Sequence, residues 1–436
     1  MGKNDRPIKV SIIMPSLNVG AYIEEALQSV RGQTICEIEI LCIDAGSVDG
    51  TWEIIQAHAK EDNRITAVQS AVKSYGAQVN MGIAQAHGEY VAILETDDFV
   101  SSTMYGALYD LAKKTDADIV KADYKAFFSQ DNGEHFYFDR HSFSEKKYYD
   151  RALEPRIAAA AFADGDWYLW QGIYKRDFLI RHRIVCSETA GAAFQDIGFL
   201  FWTETYAKRA YFCRDSSYRY RIDRQEASSN TGNGLLFAAD EYRRIIGELQ
   251  ALGTDDAKVW SLLYHRMAKS FVTGYGAVTE WTADERREKV YEWFCGTLRD
   301  AVRQGYISER SVTEGRWKRL TALLESEDIF FSRYGRCRDA ALFEKGERFV
   351  IFGCGDYGYR IYRALCQAKK EIVMFLDNNP VLQGKRLNGI PIAAPDDVLH
   401  LPEDATVIIA NEAHYGSMKE QLIRCGVPEE RIRIVM

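Results

Sequence analysis

The sequence predicts an α/β chain in three parts: a sheet domain, a helical middle region and a second, smaller α/β domain. Three observations predict it. Strand-like apolar runs alternate with amphipathic stretches through the first hundred residues. From about Leu235 to Leu342 the pattern turns helical, with almost no β-rich run. At Arg348 an apolar run leads into Gly353, Gly355 and Gly358, spaced as GxGxxG. The expected boundaries are 1–234, 235–342 and 343–436.

In the first part the strand-like runs are Val10–Met14, Glu39–Ile43, Ile65–Val68 and Tyr90–Leu94. Between them, Ala21–Val30, Thr51–Ala59 and Ala77–Ala86 carry apolar residues at helical spacing. Such alternation argues for βαβ units and a mainly parallel sheet. Ligands of such sheets bind outside the carboxyl ends of the strands. Three polar segments fall there: Pro15-Ser16-Leu17-Asn18, Asp44 to Thr51, and Glu95-Thr96-Asp97-Asp98. Carboxylates so close repel one another unless a cation lies between them. Mg²⁺ or Mn²⁺, shared with substrate phosphates, is the usual cation. The plainer readings are a solvated acidic turn and, for Asp49, a helix N-cap.

Composition narrows the class. The chain has 436 residues, 47% of them apolar, and a net charge of −8. The length allows two or three domains. No long basic run is present, which argues against a nucleic-acid partner. Nine scattered cysteines without a CxxC pair fit a reducing cytosol. The N-terminus lacks a signal-peptide core, and no run reaches the ~18 apolar residues that span a bilayer. A cytoplasmic protein is expected.

Six segments in order resemble glycosyltransferase family 2: Ser11–Asn18, Ser29–Thr34, Ile43–Thr51, Asn80–Ile83, Ala86–Tyr90 and the acidic cluster. The resemblance implies a GT-A nucleotide-binding fold, a nucleotide-sugar donor (a UDP-sugar is favoured) and Mn²⁺ or Mg²⁺. Pro15, Ser16 and Asn18 match the loop beside the nucleotide, and Asp44 the first of the paired acids after strand two. Glu95 stands where an Asp is usual. Asp97 and Asp98 are expected to hold the metal and the ribose-diphosphate. Ala45 and Val79 replace an Asp and an Arg that often contact the donor, which leaves the nucleobase open.

Further along, Gln195-Asp196 matches the acidic pair whose carboxylate acts as catalytic base; the plainer reading of Asp196 is a first-turn acid favoured by the helix dipole. Tyr218-Arg219-Tyr220-Arg221 with Ser228-Ser229-Asn230 resembles a segment that closes over the site. Arg221 is expected either to pair with the diphosphate or to be a solvated strand residue. Trp167, Tyr168 and Trp170 are candidates to stack on a sugar, and equally candidates for core.

The helical region shows no chemistry and reads as a bundle or dimerisation element. In the last part, Gly353, Gly355 and Gly358 with Asp377, which ends the next strand, form a dinucleotide-type fingerprint of a small Rossmann-like domain. NAD(P) is not expected, because no catalytic Tyr-x-x-x-Lys follows. The expected function is therefore metal-dependent, inverting transfer of a sugar to a glycan or lipid-linked glycan in surface polysaccharide synthesis. A lipid-linked acceptor would bring the chain to the inner face of the cell membrane. The competing expectations are a nucleotide-sugar sensor or assembly subunit without turnover, and a bifunctional chain with an NAD(P)-dependent C-terminal domain.

Overall fold

The computed structural model describes residues 7–434, apart from 193, 225–233, 278–284, 335–347, 401, 403, 412 and 413. The fold is mixed α/β, with a parallel-rich sheet first, helices in the middle and a second small sheet. The chain divides into two compact units. One holds residues 1–126 and 139–324; the other holds 127–138 and 325–436. The helical stretch thus clusters with the first sheet, and the segment 127–138 with the second.

The strands of the first sheet are β1 (Val10–Ser16), β2 (Ile38–Asp44), β3 (Ile65–Gln69), β4 (Tyr90–Ile93), β5 (Phe99–Val100), β6 (Ile119–Ser129), β7 (His135–Arg140), β8 (Ala152–Leu153), β9 (Gly172–Lys175) and β10 (Ala210–Arg221). The order is β3-β2-β1-β4-β9-β6-β10-β5. The four strands expected in the first hundred residues are all present. β1 and β4 are buried along their whole length, as continuous apolar runs covered on both faces should be. β1 pairs in parallel with β2 and β4, and β2 with β3. β9 then runs antiparallel to both β4 and β6.

Register brings the polar segments together. Ser16 pairs with Asp44 at the carboxyl ends of β1 and β2. Just beyond β4, the Leu94 N–H donates to the Ile13 carbonyl (2.9 Å), so Glu95 emerges beside Pro15. Helices α1 (Ile23–Arg31), α2 (Thr51–Glu61) and α3 (Tyr75–Gln85) connect the strands. Val79, at the position where the resemblance would place a donor-contacting Arg, faces the core from α3 and is fully buried.

Helices 234–251, 257–277, 285–303 and 314–325 form the middle region, in the stretch expected to be helical. They buttress the helix Asp196–Tyr206. Glu204 is fully buried and paired with Arg266, and the Trp202 indole donates to Glu248 (2.9 Å). Gly198 sits against the Arg244 guanidinium, where a side chain would collide. No helix among the described residues is long and apolar enough to cross a membrane.

The second unit carries β11 (Arg348–Phe352), β12 (Glu371–Leu376), β13 (Arg386–Leu387), β14 (Ile390–Ala393), β15 (Thr406–Ile409) and β16 (Ile432–Ile434). Their order is β13-β14-β12-β11-β15-β16, parallel except for β13. Within this unit Phe128 stacks on Tyr359, 3.8 Å between centroids.

The glycine loop after β11 is committed to its own geometry. Gly353 has φ 114°, and a side chain at Gly358 would collide with the Gly353 carbonyl, so both must be glycine. Gly355 caps the following helix. Asp377, the acid of that fingerprint spacing, accepts the Cys354 N–H on one oxygen and the Asn379 N–H on the other, each at 2.8 Å.

Candidate active site

Two strand-end loops are laced together at the sheet edge. Asn18 adopts φ 51°. Its N–H donates to Ser47 Oγ (2.9 Å), and its Oδ1 accepts the Val48 N–H (3.0 Å). Asp49 accepts the Gly20 N–H (2.8 Å) and caps α2 through the Thr51 N–H and hydroxyl. A side chain on Gly20 would meet the Asp49 carbonyl at 2.7 Å. Asp49 is therefore the structural acid of this loop. Gln78, which composition gave no reason to single out, reaches from α3 to the carbonyls of Ser16 (2.8 Å) and Ile43 (2.5 Å) and ties the strand ends together.

Asp44 differs from Asp49. Its Oδ2 accepts the N–H groups of Gly46 (2.8 Å) and Ser47 (2.9 Å). Its Oδ1 is buried and accepts no hydrogen bond among the described residues. A buried carboxylate oxygen without a donor is costly, and a nucleotide N–H or ribose hydroxyl would satisfy it. Pro15 and Ser16 line the same edge by backbone; their carbonyls accept from Thr96 Oγ1 (3.0 Å) and Gln78.

The acids after β4 have three different environments. Asp98 is buried. One oxygen accepts the Tyr218 hydroxyl (2.8 Å), the other the Arg221 N–H (2.7 Å). Burial and the neighbouring Asp97 hold its carboxyl well above the usual range. Asp98, expected to share the metal, accepts one protein donor on each oxygen, and these bonds lock β10 to the motif. Burial pushes Glu95 up to about 8, with Asp97 and Asp196 adding repulsion and the Tyr75 hydroxyl (2.5 Å) opposing it. Asp97 keeps 18% of its side chain exposed and pairs with Arg224 at 3.0 Å.

Arg221 does not lie open to a diphosphate. Its Nε donates to the Asp97 carbonyl (2.9 Å), and its guanidinium pairs with Glu25 (2.8 Å) and Asp223 (3.5 Å). Arg224 instead supplies the cation at the acid cluster. It was missed because a single Arg in a polar segment has no periodic or motif signal. Ser228, Ser229 and Asn230 lie outside the described residues.

Asp196 opens its helix a hundred residues downstream, yet its charge is felt by Glu95, Tyr75 and Lys121. Burial raises its pKa; its own N–H and Arg266 oppose the rise, and Glu241 adds to it. Gln195 positions it. The Gln195 Oε1 accepts the Gly76 N–H (2.7 Å), while Nε2 donates to Thr189 and to the Gly191 carbonyl (3.2 Å). The segment before Asp196 is thereby pinned to the start of α3. The aromatic candidates separate: Trp167 is buried, with its indole donating to the Phe162 carbonyl, whereas Tyr168 is exposed.

Residues 11–171 match the model described as Glycosyl transferase family 2. This stretch is a glycosyltransferase family 2 domain. Two curated relatives show the range. Glycosyltransferase GlyG of Streptococcus pneumoniae serotype 4 is 29% identical over 220 residues, 49% of this chain and 70% of GlyG. GalNAc(5)-diNAcBac-PP-undecaprenol beta-1,3-glucosyltransferase of Campylobacter jejuni is 24% identical over 267 residues, 60% of this chain and 81% of its own. The chain spans 60% of the length of two further curated relatives. Among solved structures, S. aureus TarS 1-349 in complex with UDP-GlcNAc matches with a TM-score of 0.55 at 18% identity, over 78% of this chain and 93% of TarS 1-349. This likeness shows the fold. Residues 345–433 match a second model, described as C2185-like, N-terminal.

Two outcomes follow for this family 2 site. Glu95 has a folded pKa near 8 against an ordinary 4.5, so its contribution to stability is present at low pH and lost as pH rises through that window. Glu95→Gln keeps an acceptor for Tyr75 and removes the titration. Its melting temperature relative to the wild type should climb between pH 5 and pH 9; a pH-independent difference would refute the assignment. Asp44→Asn keeps an oxygen for Gly46 and Ser47 but turns the unsatisfied oxygen into a donor. Calorimetry should show UDP affinity falling by roughly 10- to 100-fold, with an unchanged melting temperature.

Proposed function

We propose that the chain transfers a sugar, with inversion, from a UDP-sugar to a hydroxyl of a glycan or lipid-linked glycan. The observation that carries this reading is the convergence of Asp44, Asp97 and Asp196 at one sheet edge. The UDP-GlcNAc complex of TarS supports the choice of donor, and the name of the Campylobacter relative supports a lipid-linked acceptor. Such an acceptor would be met at the cytoplasmic face of a membrane, in the assembly of a surface polysaccharide.

The acid cluster fits a divalent cation that is completed by the donor. Among the described residues, no group of three or more His, Cys, Asp or Glu side chains could hold a metal by itself. Asp97, partly exposed, is the member of the motif that would hold Mn²⁺ or Mg²⁺ together with phosphate oxygens, the arrangement Mg²⁺ prefers. When bound, the ion would neutralise charge developing on the leaving diphosphate.

The protein's own groups perform the remaining tasks. Asp44 faces the nucleotide with its unsatisfied oxygen. Asp98 and Tyr218 keep β10 in place behind Asp97. Asp196 takes the proton of the acceptor hydroxyl as that oxygen bonds to the anomeric carbon. The bond from that carbon to the diphosphate oxygen breaks on the opposite side, and UDP departs with the electron pair. Because burial raises the Asp196 pKa, the base becomes active at a higher pH than an ordinary carboxylate.

A second reading, donor binding without turnover, draws on Ala45 and on the Arg224–Asp97 ion pair, which already neutralises the metal position. Turnover separates the two. Asp196→Asn should lower kcat by about 10²- to 10⁴-fold, leave UDP affinity unchanged and abolish the acid limb of the kcat–pH profile. An unaltered kcat would remove Asp196 from the mechanism. Thermal shift with UDP should depend on Mn²⁺ in the wild type and lose that dependence in Asp97→Ala. No stabilisation of the wild type by any nucleoside diphosphate would overturn the donor reading.

A further inference from the structure

The acid motif already holds a cation of the protein's own. Two arginines, one at the end of β10 and one three residues beyond it, grip Asp97. Arg221 Nε donates to the Asp97 carbonyl (2.9 Å), while its guanidinium pairs with Glu25 (2.8 Å) and Asp223 (3.5 Å). Arg224 Nη1 donates to Asp97 Oδ2 at 3.0 Å. Both guanidinium groups lie over the Tyr22 ring, 4.9 and 5.8 Å from its centroid. Arg221 thus holds the backbone of Asp97, and Arg224 holds its carboxylate.

This pair differs from an ordinary surface bridge. Each side chain is only 18% exposed, so water and salt screen their attraction less than they do between open partners. The other acids of the motif are satisfied differently. Asp98 takes the Tyr218 hydroxyl and the Arg221 N–H, and Glu95 takes the Tyr75 hydroxyl. Among the described residues, Asp97 is the one acid of the three that is paired with a cation.

A divalent ion that reached Asp97 alone would displace this guanidinium and then share the carboxylate with a like charge. Among the described residues, no group of three or more His, Cys, Asp or Glu side chains could hold the ion in compensation. A nucleoside diphosphate brings the missing negative charge. With its phosphate oxygens present, an ion and a guanidinium can both be neutralised at one carboxylate. We propose that Arg224 is a resident counter-cation that reserves Asp97 until the donor arrives, so that metal enters together with the diphosphate and not before it. Arg224 acts through Asp97 and is therefore a positioning residue. This inference rests on the reading of Asp97 as the metal-holding acid.

The test uses the full chain and Mn²⁺ as the probe, with readouts other than turnover. Without nucleotide, binding is followed by depletion of the free-ion EPR signal. Arg224→Gln removes the charge and should tighten this nucleotide-free binding by roughly tenfold over the wild type. Arg224→Met should do the same, Arg224→Lys should match the wild type, and adding Asp97→Asn to Arg224→Gln should abolish the gain. Melting temperature gives the second readout. Mn²⁺ alone should raise it in Arg224→Gln and leave the wild type unchanged, whereas Mn²⁺ with UDP should raise it in the wild type beyond UDP with a chelator. Equal nucleotide-free binding by the wild type and both uncharged variants would overturn the role of Arg224, as would a wild type that Mn²⁺ alone stabilises as much as Mn²⁺ with UDP. If UDP still brings Mn²⁺ to the wild type in the first of these cases, the metal reading stands and only the role of Arg224 falls. If Mn²⁺ binds none of the proteins, with or without UDP, the metal reading falls and the role of Arg224 falls with it.

Discussion

The electrostatic cost of gathering carboxylates at one buried sheet edge constrains the rest of this structure. Glu95, Asp97, Asp98 and Asp196 come from two parts of the chain and share one environment of restricted solvation. Charged carboxylates there repel one another and lose hydration. Each answers differently. Asp98 takes two protein donors, Glu95 is pushed toward neutrality against Tyr75, Asp97 takes Arg224, and Asp196 sits at a helix start with a raised pKa. That crowding is the physical basis for the proposal that a cation and a phosphorylated ligand bind here.

The scaffold around the edge is built to resist that strain. Continuous apolar strands hold β1, β2 and β4 in fixed register, so three loops must end together. Gln78 and Asp49 cross-link those ends through backbone groups. The helical middle region braces the helix of Asp196 through the buried Glu204–Arg266 pair, which would be expensive to break by removing one partner. Helices that show no chemistry of their own therefore fix the position of Asp196.

The second unit uses its glycines and acid internally. Asp377 closes the loop it faces instead of presenting a free carboxylate, and Gly358 exists because the Gly353 carbonyl leaves no room for a side chain. A GxGxxG spacing followed by an acid thus has a packing explanation here that sequence spacing alone does not distinguish from a ligand fingerprint.

The sequence by itself determined the fold class, the first four strands and the helical character of the middle region, and it carried the motifs that resemble family 2. Hydrophobic period and strand-end chemistry are local properties, and they survive in the linear pattern. Asp44, Asp97 and Asp196 were singled out by motifs that resemble the family's, which are also local in the chain. Only the tertiary structure decided which charges face the site. Arg221 and Arg224 are alike in sequence, but Glu25, 196 residues from Arg221, draws the first inward, and the second pairs with Asp97. Trp167 and Tyr168 are adjacent, yet one is core and the other exposed. Burial and partners are set by segments distant in the chain, and side-chain direction and ionisation follow from them.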